Sequence, residues 1–109
     1  MEVMEDELRV LRKSLKDQTK QATSLKSIVA MQDAVSKAKV QTPPMAESQP
    51  AEKRADFVKE YRRMLIRMGK QLLDLEELVL DGKTEEAGVL FKEIRNMEDS
   101  GHERFTDDG

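Results

Sequence analysis

Residues 57–82 read FVKEYRRMLIRMGKQLLDLEELVLDG, and the apolar positions in this stretch decide the fold class. Phe57, Tyr61, Leu65, Met68, Leu72, Leu75 and Val79 recur at steps of three and four. That spacing lines up side chains on one face of an α-helix, whereas a strand would alternate them. A helix is predicted over about residues 54–81, ending at LDGK, where Gly82 can take the left-handed conformation that closes helix C-termini.

The same period extends in both directions. Downstream, Thr84 opens a helix over about residues 84–105, with Glu85 and Glu86 complementing the dipole of its first turn and Ala87, Leu90, Phe91, Ile94 and Met97 facing inward. Upstream, three prolines in VQTPPMAESQPAEKR interrupt the pattern and mark a connection over 41–53. Before it, Leu25, Ile28, Val29, Met31, Val35 and Ala38 predict a helix over about 24–40, with Thr23 or Ser24 as its N-cap. Met4, Leu8, Leu11 and Leu15, flanked by Val3 and Val10, predict a first helix over about 2–21. Four helices joined by short, long and short links predict an all-α fold, an antiparallel up-down-up-down four-helix bundle forming one domain over 1–109.

Composition agrees. The chain is 38% hydrophobic and 38% charged, with three Phe, one Tyr and no Trp, which favours aliphatic helix packing over a β-sandwich. A net charge of −3 offers no whole-chain attraction to nucleic acid or an anionic membrane. The absence of cysteine removes disulfides, thiol catalysis and covalent haem attachment. No apolar run approaches the roughly 18 to 20 residues of a membrane span, and MEVMEDELRV is too acidic for a signal peptide. The chain is therefore cytoplasmic or starts after a removed export signal. With no Ser/His/Asp constellation, phosphate loop or HExxH motif, it is not expected to be an enzyme. Lys59, Arg62, Arg63, Arg67 and Lys70 read first as the solvated outer face of the third helix, and second as a dock for an acidic partner or a membrane surface.

The single histidine, His102, lies beside the stripe that runs through Ile94, Glu98, Gly101 and Phe105. Two readings follow. Glu98, four residues earlier, can pair with it on the helix surface, and Glu98, Asp99, His102 and Glu103 can hold a stray divalent ion weakly. Alternatively the imidazole is an axial ligand for haem iron held between the first and fourth helices, with Met1 or Met4 offering a thioether from the first.

MEDELRVLRKSLK, AMQDAVSKAKVQTPP and DGKTEEAGVLFKEIRNMEDSGHERF together make the chain resemble the cytochrome b-562 family of haem-binding four-helix bundles over nearly its whole length. The resemblance implies non-covalent haem b, single-electron transfer, a redox protein partner and a periplasmic location. It places His102 on the family's axial histidine, and Tyr61 and Leu65 where the family has phenylalanines. Leu8 stands on the axial methionine position without a donor atom, and Met4 lies one turn, about 6 Å, earlier. Glu98 stands where the family has an arginine near the haem propionates. Three outcomes are compatible with these departures: haem on His102 alone, haem with Met4 as displaced second ligand, or a haem-free bundle acting as a structural or interaction module.

Overall fold

The computed structural model describes residues 2–105, and four helices account for most of them: α1 (Glu2–Ser14), α2 (Gln21–Ala38), α3 (Ala51–Leu80) and α4 (Thr84–Phe105). No strand occurs among the described residues. The four form an elongated helical bundle of about 50 × 22 × 20 Å, its length that of α3. Among the described residues no helix is long and apolar enough to cross a membrane.

The periodicity in α3 places its face where expected: Phe57, Tyr61, Leu65, Met68, Leu72, Leu75 and Val79 are all buried. Opposite them Met4, Leu8 and Leu11 from α1, with Leu15 just past its end, close the core, and Ile28, Met31, Val35 and Ala38 close it from α2. Other apolar positions fall short of the predicted stripes. Val29 is 50% exposed, Val3 and Val10 are exposed, and Leu25, Leu90 and Met97 are only half-buried. Each sits at the edge of its helix's apolar arc, where one turn of drift moves a side chain from core to rim.

The first connection differs from the expected one. α1 stops at Ser14 rather than running to 21, and a single 3-10 turn, Gln18–Lys20, leads into α2 at Gln21 rather than at 24. Asp17 caps that turn, accepting from the Thr19 backbone N–H at 3.0 Å and from its hydroxyl at 2.6 Å. Ser24 is not an N-cap. It is buried inside α2, and its hydroxyl meets that of buried Ser14 at 2.7 Å. Gln21 Nε2 donates to the Val79 carbonyl at 2.7 Å and ties the start of α2 to the end of α3.

At the far end of α3, Gly82 has φ 71°. Its N–H donates to Val79 and that of Lys83 to Leu78, satisfying two carbonyls of the last turn. The proline-containing connection is ordered around a 3-10 helix, Pro44–Ser48, and α3 begins at Ala51, three residues before the expected start. Pro50 stands just before that helix with φ −54° and an extended ψ of 145°, where its ring keeps the helix from starting any earlier. Arg54 reaches back from α3 to the carbonyls of Ala46, Glu47 and Gln49.

Candidate functional site

α4 carries an inward stripe of Ala87, Phe91, Ile94, Glu98, Gly101 and Phe105, all buried. Five of these are what a helix core position ordinarily holds; Glu98 is not. It is 6% exposed, so its expected place on the helix surface is corrected: the residue is buried, with His102 still beside it. Burial pushes its pKa up, the negative charges of Asp99 and Glu5 push the same way, and His102 opposes them.

His102, one turn on, is half-buried, with its Nδ1 turned away from solvent. The third member comes from another helix. Glu5, exposed on α1, brings a carboxylate oxygen so close that one donor atom each from Glu5, Glu98 and His102 lie within 4.8 Å of one another. Spacing along α4 identifies the Glu98/His102 pair, since residues four apart share a face. Glu5 carries no such signal, because its approach depends on how α1 lies against α4. Asp99 and Glu103, grouped with His102 on sequence alone, are exposed and outside this trio.

Two spaces adjoin the trio, and Glu98 lines both. Inside the bundle lies a cavity of about 30 Å³ between α3 and α4, walled by Tyr61, Met64, Leu65, Met68, Gly101 and His102. Its volume is that of about one water. On the outside a shallow groove of about 250 Å³ runs along α1 and α4 past Glu5, Leu8, Arg9, Arg95 and Asp99, without reaching His102.

The remaining residues singled out from the sequence are core residues. Met4 and Leu65 are fully buried, and Leu8 and Tyr61 nearly so. Tyr61 packs edge-on to Phe105 at 5.3 Å, and burial raises its hydroxyl pKa. Met1 lies outside the described residues. Met64 is the neighbour that sequence reading missed: half-buried on α3, it lies directly over Gly101, one residue before the histidine. Only a glycine leaves room for it there.

A family model described as cytochrome b562 matches residues 1–106 of the chain. Searches of curated proteins and of solved structures return no significant match.

Proposed function

This chain belongs to the cytochrome b562 family, and from that premise we propose that it is a member rebuilt to work without haem, a helical binding module rather than an electron carrier. Family membership by itself suggests a haem-binding electron carrier, so the proposal stands on how well the residues at the site suit that group.

They suit it poorly. A haem-sized ligand occupies a pocket of roughly 300 to 1,000 Å³, against a cavity of about 30 Å³ beside His102. Glu98 lines both that cavity and the outer groove, and the groove, at about 250 Å³, falls short of that range as well. A carboxylate there repels propionates instead of pairing with them. Leu8 has no donor atom, and the thioether of Met4 is fully buried in the core one turn away. The observation that carries the proposal is the buried Glu98, which turns a site for an anionic macrocycle into an acidic one.

Binding to a protein is supported by the outer face of α3. Lys59, Arg62, Arg63, Arg67 and Lys70 are exposed there, and Ile66 (41% exposed) and Leu73 (60%) sit among them, opposite the buried stripe. This basic and apolar strip, bounded by Asp56 and Asp74, suits an acidic partner surface. The proposal includes one domain over 1–109, a non-enzymatic role and, following the family, a periplasmic location. It also includes the antiparallel up-down-up-down arrangement, supported by the short connections and by the Gln21–Val79 tie.

Haem titration of wild type, His102→Ala and Leu8→Met tests the reading. Wild type should give no sharp haem band, and Leu8→Met should not create a low-spin one, because Glu98 and Met64 still occupy the site. A band in wild type, low-spin or high-spin, that His102→Ala abolishes would overturn it.

A further inference from the structure

We infer that Glu5, Glu98 and His102 form a site for one divalent transition-metal ion, Zn²⁺ by its donor chemistry, bridging α1 and α4. The inference rests on the haem-free reading above and gives the rebuilt site its ligand.

The donor set is one imidazole nitrogen and two carboxylate oxygens, a combination that zinc accepts at about 2.0 to 2.2 Å with a water completing a tetrahedron. Tetrahedral bonds of that length set donor atoms about 3.4 Å apart. Here the three lie within 4.8 Å of one another, so closing the site takes an inward movement of little more than an ångström. Glu5 can supply it by side-chain rotation, because it is exposed. Glu98 and His102, four apart on α4, need only keep the face they share.

Charge points the same way. Two carboxylates in this proximity repel each other. A doubly charged cation balances both. The groove past Glu5, Leu8 and Asp99 gives the ion and its water a way in from solvent. Mg²⁺ and Ca²⁺ prefer six or more oxygen ligands and gain little from an imidazole.

Isothermal titration of tag-free protein with Zn²⁺, beside Mg²⁺ and Ca²⁺, tests this. One Zn²⁺ per chain should bind and raise the unfolding temperature, with no uptake of the other two ions. Glu5→Gln, Glu98→Gln and His102→Ala should each weaken binding about tenfold or more. Glu5→Gln is decisive, because an exposed position on α1 does not endanger folding. Unchanged affinity in Glu5→Gln would reduce the site to a surface pair on one helix and overturn the inference. So would the absence of stoichiometric binding in wild type. Haem titration of the same preparation keeps the two questions apart: a His102-dependent haem band defeats the haem-free reading, whereas failure of both haem and zinc to bind defeats only the metal site.

Discussion

Met64 fills the notch that Gly101 leaves in α4: a Cβ on residue 101 would lie 2.9 Å from the methionine Cε and closer still to its sulfur. Two effects oppose each other in Gly101→Ala. Alanine in a helix interior is favoured over glycine by about 0.5 to 1 kcal/mol. Against this, the end of Met64 must swing outward, which is inexpensive for a flexible, half-buried thioether. Urea unfolding should therefore find Gly101→Ala within about 1 kcal/mol of wild type. In a Met64→Ala background the same change should stabilise by the full helix-propensity difference. Equal effects in both backgrounds would show that the methionine does not occupy the notch.

Two other glycines should respond with opposite signs. Gly82 has φ 71° at the end of α3, so Gly82→Ala should cost about 1 to 2 kcal/mol, although nothing lies within 4 Å of the new methyl. Gly88 sits inside α4 with the same open space and no such backbone constraint, and Gly88→Ala should stabilise by about 0.5 to 1 kcal/mol. Chemical denaturation of the two variants side by side checks both.

The buried hydroxyls of Ser14 and Ser24 should show coupling. Replacing either by alanine leaves the other buried without that bond, at a cost of about 1 to 3 kcal/mol. Replacing both removes the need for a partner, so the double variant should lose clearly less than the sum. Additive losses in a double-mutant cycle would show that the pair does not act as one.

At Asp17 the hydrogen bonds from the Thr19 hydroxyl and backbone N–H hold the carboxyl below its ordinary value of 3.8. The folded chain then binds fewer protons here than the unfolded one, so stability rises with pH across the window. The contribution of this cap is full above the unfolded value and fades as pH falls through the lowered one. Carboxyl-carbon NMR should place the Asp17 midpoint below 3.8, and Thr19→Val should move it back up. No movement in that variant would separate the titration from the cap.

The helix faces were readable from spacing wherever the apolar period ran long. All seven positions assigned inward on α3 are buried, because over thirty residues only one arc can face the core. The entry to α2 was not readable in the same way. A serine at a helix start and a serine on a buried seam look alike in sequence, since a hydroxyl can meet a free N–H or another hydroxyl; the location of Ser14 decided it. At the site, the period did put Glu98 on the inward stripe, but its charge argued for the surface. Glu5 left no trace at all. Its approach to His102 follows from how two helices far apart in sequence are set against each other, and local spacing holds no information about that.

Arg54 changes what the proline-rich connection can do. Composition alone marks residues 41–53 as a tether, yet Pro43 and Ala46 are buried and one guanidinium holds three of its carbonyls. A segment fastened in this way resists proteases that need a slack chain, and it has a fixed length. Lengthening it by a few residues, harmless in a true linker, would pull Arg54 off its acceptors and loosen the first turn of α3. The longest gap between helices is thus one of the least accommodating places to insert anything.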